Sequence, residues 1–341
     1  MAVKATPSID QSRTQFKRRL ARRTVVQLLL LTMIPFLVLG AFAVMRLRGQ
    51  LEQQINTQVL SISNYYAKQL TDFAKVRGDS LSELIYSSSV SENLPILVSA
   101  TTKDATYTTA RFFVQSAFST STAISADAVF DQLLVVRPDG TVAYSTYDLW
   151  EGEEYGKLPF MASSLDTDSA QLVYNPQPLY NDQLVLITSR IVRDANGQHI
   201  ATIFGTTLST MPKSLLTYAE TLLPAAKPYY YTYDQNLIGL ENATVVLNNL
   251  QVTSGQRSAI EELISQGSEK LHIIQSALTG VESFALAKQI EALQTYFIVS
   301  IPTETVYSQI QVFSLATVLL FFAAIALVGV IIYIGTNRTI R

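Results

Sequence analysis

Hydrophobic positions along this chain fall into three regimes. From Thr24 to Met45, and again from about Val312 to Gly335, apolar residues run on without a single charge. About 20 such residues cross a hydrocarbon core of about 30 Å, so both stretches predict transmembrane helices; Pro35 within the first is tolerated in a lipid-embedded helix. Past the first stretch the pattern becomes a one-sided stripe. Leu47, Leu51, Ile55, Val59, Ile62, Tyr66, Leu70 and Phe73 recur every three or four residues, and Leu81, Leu84 and Ile85 carry the stripe to about Tyr86. That spacing predicts one amphipathic helix, about 60 Å long outside the lipid at 1.5 Å per residue. Tyr107, Ala110, Val114 and Ala117 predict a second helix.

The period then shortens to two. Gln132–Val136 and Thr141–Ser145 flank Arg137-Pro138-Asp139-Gly140, a hairpin turn pattern. A loop carrying Trp150 leads to a short helix near Leu158–Leu165. Strand-like runs follow at Gln171–Tyr180, Leu184–Arg193 and His199–Leu208, separated by Asn181-Asp182 and Asp194-Ala195-Asn196-Gly197. The outline repeats on a smaller scale. Met211–Thr221 predicts a helix, while Lys227–Tyr233 and Thr244–Leu247 predict strands. Ser258-Ala259-Ile260-Glu261 reads as a capping box opening a helix that stops at Gly267, and Leu271–Leu278, Ser283–Ile290 and Gln294–Ile301 predict three more strands. The last runs through Pro302 and Glu304–Gln309 straight into the second apolar stretch.

Charge orients the layout. Before the first apolar stretch stand seven Lys/Arg against Asp10 alone, and after the second stand Arg338 and Arg341 with no acid. The segment between holds 16 basic against 26 acidic residues. The positive-inside rule puts both termini in the cytoplasm and residues 46–309 outside it, with Arg46 and Arg48 outvoted. A cleaved signal peptide is disfavoured, because the apolar run exceeds the length of a signal h-region and no A-x-A site is followed by a loop-like mature start. The acidic exterior excludes nucleic acid as a partner. The absence of cysteine removes thiolate zinc sites and thiol nucleophiles. His199 and His272 lack acidic partners at ligand spacing, so no metal is expected. No G-x-S-x-G elbow occurs, and no cofactor or catalytic activity is expected of this chain.

A long membrane-proximal helix, a five-strand unit, a smaller second unit and a closing span resemble the double Cache sensors of bacterial chemoreceptors and sensor histidine kinases. The residues carrying the resemblance are Leu133–Ser145, reading LLVVRPDGTVAYS, and Ser189–Gly205, reading SRIVRDANGQHIATIFG. The second run is similar to the penultimate strand, turn and closing strand of that family. The resemblance implies an α+β fold: a long N-terminal helix with two PAS-like antiparallel-sheet subdomains, flanked by two transmembrane helices. It divides the chain into a basic cytoplasmic N-terminus (1–23), transmembrane helix 1 (24–45), the long helix with a membrane-distal subdomain (46–210), a membrane-proximal subdomain (211–309) and transmembrane helix 2 (310–335). Residues 336–341 resemble the start of a HAMP linker, which implies an output module, of histidine kinase or chemotaxis type, lying beyond this chain.

The implied function is a homodimeric membrane receptor's sensor region. It binds a small extracytoplasmic ligand and relays a conformational signal through transmembrane helix 2 to a cytoplasmic module in cis. The alternative is a membrane-anchored ectodomain that binds a protein partner and no small molecule. Amino-acid-sensing members place an Arg–Trp/Tyr cluster on the helix after the second strand and an aspartate in the closing strand. Here those places read Lys157-Leu158-Pro159-Phe160-Met161-Ala162 and Gly205-Thr206-Thr207, so that ligand is not carried over. The residues instead suggest an aromatic-rimmed basin of Tyr144, Tyr147, Trp150, Phe160 and Tyr174, with Tyr180 at its rim. Arg190 would be the anchor for a carboxylate ligand.

Overall fold

A computed structural model describes residues 9–100, 102–122, 129–174, 176–177, 179–180, 183–208, 210–222, 226–232, 235–241, 244–250, 253–277 and 279–339. The chain forms two compact units, Asn56–Thr303 and Met1–Ile55 with Glu304–Arg341.

Elements follow in chain order. α1 (Ile9–Tyr86) is followed by α2 (Ser88–Ser91), α3 (Leu94–Ser99) and α4 (Ala105–Ser121). The first sheet is built from β1 (Gln132–Val136), β2 (Val142–Ser145), β3 (Ser169–Tyr174), β4 (Leu184–Arg193) and β5 (His199–Leu208), with α5 (Pro159–Ala162) between β2 and β3. α6 (Thr210–Leu222) leads to β6 (Lys227–Tyr231), β7 (Leu237–Glu241) and β8 (Thr244–Leu250). Then come α7 (Ser254–Ser265), β9 (His272–Gln275), β10 (Glu282–Ile290), β11 (Thr295–Pro302) and α8 (Thr303–Thr339). Both sheets are antiparallel, ordered β2-β1-β5-β4-β3 and β8-β7-β6-β11-β10-β9.

In the unit Asn56–Thr303 the five-stranded sheet has two covered faces. Strand alternation sends Leu133 and Val135 of β1 and Ala201 and Ile203 of β5 to one face, where they pack on Leu81, Leu84 and Ile85 of α1 and on Val114 and Phe118 of α4. Each such buried side chain stabilises by about 1.5–3 kcal/mol relative to exposure. The opposite, outer face carries Leu134, Val136, Val185, Ile187 and Phe204, overlaid by Trp150, Met161 and Leu179. The hairpin between β1 and β2 closes as its sequence dictates. Gly140 takes φ of +91°, which favours glycine, and the Asp139 carboxylate accepts from Thr141 N at 2.8 Å.

The six-stranded sheet follows the same scheme. On one face Phe297 packs on Tyr66 of α1 with ring centroids 5.4 Å apart, and on Tyr230 of β6 at 5.6 Å. On the other, Tyr229, Ile298, Ala285 and Ala287 lie in one cluster with Ile260 and Leu263 of α7. Three sequence expectations are corrected here. β7, with Gly239 and one-sided spacing too short to read, was not expected. β3 stops at Tyr174 rather than Tyr180. α7 begins a turn early, because Thr253 rather than Ser258 caps it: Thr253 Oγ1 accepts from Gln256 N and Gln256 Oε1 accepts from Thr253 N at 2.8 Å.

In the unit of Met1–Ile55 and Glu304–Arg341, α1 and α8 are joined by a three-residue cluster. Arg48 donates to Glu52 at 3.0 Å and to the Tyr307 hydroxyl at 2.9 Å, while Tyr307 donates to Glu52 at 2.6 Å. The Arg48 guanidinium also lies 4.4 Å from the Tyr307 ring centre. The hydrogen bond from Tyr307, followed by that from Arg48, holds the Glu52 carboxyl below its ordinary value. Among the described residues no helix is long and apolar enough to cross a membrane.

Candidate functional site

The outer face of the five-stranded sheet combines apolar walls with a small set of oriented polar groups. Trp150 stands on a 3-10 turn, Asp148–Trp150, just after β2. Tyr147 packs against it with ring centres 5.0 Å apart, and Tyr155 from the other side at 5.9 Å. Phe160, on α5, is half-buried in the same cluster, as is Tyr180. The Tyr180 hydroxyl pairs with Thr206 Oγ1 of β5 at 2.7 Å; burial holds that phenol well above its ordinary value, and the Thr206 hydrogen bond opposes the shift.

Nearer β3 the face is lined by hydroxyls. The Gln171 amide donates to Ser163 and Ser164, Ser169 pairs with Ser189 at 3.0 Å, and Ser189 donates to the Thr167 carbonyl at 2.8 Å. His199 bridges this corner. Its Nδ1 lies 3.3 Å from Asp166, and its Nε2 lies 2.9 Å from Thr202 Oγ1, which donates to the Leu165 carbonyl. His199 and Asp166 are 33 positions apart, so this pair was invisible to local spacing. No group of three metal-ligating side chains occurs among the described residues.

The six residues expected to form one basin are not brought together. Tyr147, Trp150 and Phe160 belong to the outer face or its rim. Tyr144 is buried on the helix-packed face, its ring 5.5 Å from Phe118, and burial pushes its phenol up to about 12. Tyr174 ends β3 opposite Leu184, and alternation places it on the side of Leu172, away from Val173. Arg190 also turns to α1: its Nε donates to Ser82 Oγ at 3.1 Å and its Nη1 to the Ser189 carbonyl at 2.9 Å. An arginine that shares a face with α1 is no anchor for a ligand lying among Trp150 and Phe160.

Sequence reasoning also missed Arg111. From α4 it donates to Glu151 at 2.7 Å and to Asp148 at 3.1 Å, and its guanidinium stacks 5.3 Å from the Tyr144 ring centre. The hydrogen bond to Glu151 leads in raising the Arg111 pKa above its ordinary value. Arg111 thereby ties the Trp150 turn to the helical layer. Its signal in sequence was only a lone base on a helix, with acids 37 and 40 positions later.

No family model matches this chain, and no curated protein matches it. Solved structures do. The ligand-binding domain of Mlp24 with asparagine has 13% identity and a TM-score of 0.50, over 76% of this chain and 99% of that one. The ligand-binding domain of the Pseudomonas fluorescens chemoreceptor CtaA, in complex with L-isoleucine, has 11% identity and a TM-score of 0.49 over 77% and 97%. The periplasmic sensory domain of the Campylobacter jejuni chemoreceptor Tlp1 has 14% identity and a TM-score of 0.46 over 75% and 98%. The fold is therefore that of the Mlp24 ligand-binding domain. More narrowly, two antiparallel sheets carried by one long helix make it a double Cache fold.

Proposed function

We propose that this chain is the sensor region of a two-pass membrane receptor, with residues 46–309 outside the cytoplasm. The outer face of the first sheet takes a small organic ligand; the Mlp24 ligand-binding domain, similar in fold, is described with asparagine. The signal leaves through α8 to a cytoplasmic module, and the receptor works as a homodimer. The observation that carries the reading is connectivity. β11 sits between β6 and β10 in the second sheet and passes at Pro302–Thr303 into α8 with no intervening loop. A ligand that binds two arrangements of the sheets unequally shifts α8 by a small displacement.

The membrane part of the reading rests on exposure and charge. Leu31 and Met45 of α1 are each 74% exposed, and Val312 and Phe322 of α8 are exposed too; apolar side chains so placed call for lipid. The basic excess beyond both apolar stretches orients them.

A second reading has one observation in its favour. Phe112, 65% exposed, and Phe113 stack edge to face on the open side of α4, an apolar pair suited to a protein partner. The test is a thermal-shift screen of the full chain in nanodiscs against organic acids, amino acids, amines, sugars and nucleobases. A ligand at 100 times its Kd stabilises by about 2.7 kcal/mol. Stabilisation by one chemical class supports the sensor reading. Silence across all classes, with stabilisation by a periplasmic protein fraction lost on Phe112→Ser, would establish the second.

A further inference from the structure

Arg48 and Glu52 stand one turn apart on α1, and Tyr307 stands five residues past Pro302, where β11 ends and α8 takes over. We propose that these three residues form a latch, which holds α8 at one register along α1 in one signalling arrangement and is open in the other. The inference rests on the reading of α8 as the path by which the signal leaves the sheets.

The first support is how the three groups use one another. The Tyr307 hydroxyl has one proton, and it goes to Glu52 Oε1 at 2.6 Å. The same hydroxyl accepts from Arg48 Nη2 at 2.9 Å, and Arg48 Nε returns to that Glu52 oxygen at 3.0 Å. The guanidinium also lies over the Tyr307 ring, 4.4 Å from its centre. A closed set of charge-assisted bonds fixes geometry as well as contact.

The second support is how little movement the set tolerates. Four residues separate Arg48 from Glu52, about 6 Å along the α1 axis. The hydroxyl is bound to both, so a slide of α8 in either direction draws it away from one of them. A hydrogen bond is lost beyond about 3.5 Å, and helix shifts in signalling reach about 1–2 Å. The margin from 2.6 or 2.9 Å to that limit is smaller than the shift, so the full set is made at one register only.

Strength and placement also suit a switch. The Arg48 and Glu52 side chains are 56% and 40% exposed, so solvent screens the pair and a ligand's preference between two arrangements suffices to release it. The second sheet holds α1 through Asn56, whose Oδ1 accepts from Leu271 N at 2.8 Å just before β9, and it holds α8 through β11. Glu52 follows four residues from Asn56 and Tyr307 five from Pro302. A change in the sheet is therefore felt as a change of register within about one turn of each attachment.

The chain has no cysteine, so spin labels go only where they are placed. Labels at Met45→Cys and Val312→Cys, exposed positions on α1 and α8, are measured by double electron–electron resonance on the full chain in nanodiscs. Dilution with unlabelled chain restricts the distances to one copy. Tyr307→Phe and Glu52→Gln are each expected to move the mean distance by about 1–2 Å or to add a second population. The double variant should go no further than either single one, because both cut the same bond. Glu304→Gln, exposed in the first turn of α8 and outside the cluster, should match the unsubstituted chain. Distances unmoved by both substitutions, a double effect equal to the sum of the two, or an equal shift in Glu304→Gln would overturn the latch and leave the receptor reading standing. A label at Leu31→Cys, 74% exposed in the first apolar stretch, tests that reading separately: collisions with oxygen dissolved in lipid uphold it, and collisions with a water-soluble nickel chelate sink it and the latch together.

Discussion

Arg190 lies directly over Gly78: a Cβ at position 78 would stand 2.1 Å from Nη2 of the guanidinium. The missing side chain lets α1 approach the first sheet closely enough for Arg190 to reach Ser82, one turn further along the helix. Gly78 in a long amphipathic stripe looks like a helix weakness in sequence. In the fold it is a seat for an arginine.

Gly78→Ala therefore forces Arg190 out of its place. The helix-propensity gain of about 1 kcal/mol is set against loss of the two arginine hydrogen bonds, and because only the guanidinium end of a flexible side chain must move, the net destabilisation is about 1 kcal/mol. Arg190→Ala should lower stability by a similar amount and leave ligand affinity unchanged. Denaturant melts and calorimetry on the same two variants check this; a loss of affinity without a loss of stability would return Arg190 to the site.

Arg111 should control the Trp150 turn. Arg111→Met leaves Glu151 without its partner and frees Asp148–Trp150 from α4, which should cost about 1–3 kcal/mol because the pair is only partly buried. Trp150 is the single tryptophan, so its emission reports the turn alone. A red shift in Arg111→Met is expected under native conditions, with Arg111→Lys intermediate.

The Arg48, Glu52 and Tyr307 cluster should make the junction of α1 and α8 sensitive to acid. Glu52 is held below its ordinary value, so its contribution is present above the ordinary carboxyl range near 4.5 and is lost as pH falls through the lowered value. Tyr307→Phe removes the hydrogen bond that dominates this shift. Carbon-detected NMR titration of Glu52 should then show its midpoint moving up toward 4.5; an unchanged midpoint would mean the hydroxyl is not its partner.

Capping of α7 gives a sharper structural check. Thr253→Ala removes the side-chain half of the capping box, the bond that Thr253 Oγ1 accepts from Gln256 N, and should cost about 1 kcal/mol. Ser258→Ala, at an exposed position inside the helix, should change stability by no more than about 0.5 kcal/mol. Paired thermal melts decide which residue opens the helix.

Much of the fold was legible because period carries face. The stripe from Leu47 to Ile85 and the alternation through β4 and β5 specify which side chains are inside before any contact is known. The end of α1 at Tyr86 and both ends of β4 and β5 coincide with the sequence reading. The site was less legible, for a reason Arg190 and Trp150 illustrate. Face within a strand follows from parity, but parity does not say which face the covering loops occupy. Arg190 and Trp150 could be pooled into one basin only by ignoring that Arg190 keeps step with Val192, which packs on the helical layer. Arg111 with Glu151, and His199 with Asp166, lie too far apart in sequence for any local pattern to pair them.

The most direct measurement of the central claim is the emission of Trp150 during titration of a calorimetrically identified small ligand into the full chain in nanodiscs. Trp150 lies in the cluster overlying the outer face and has no other tryptophan to mask it. The account predicts a saturable change whose midpoint equals the calorimetric Kd and which weakens in Tyr147→Ala. Calorimetric binding that leaves Trp150 emission flat to saturation would place the ligand elsewhere and contradict the assignment of this face.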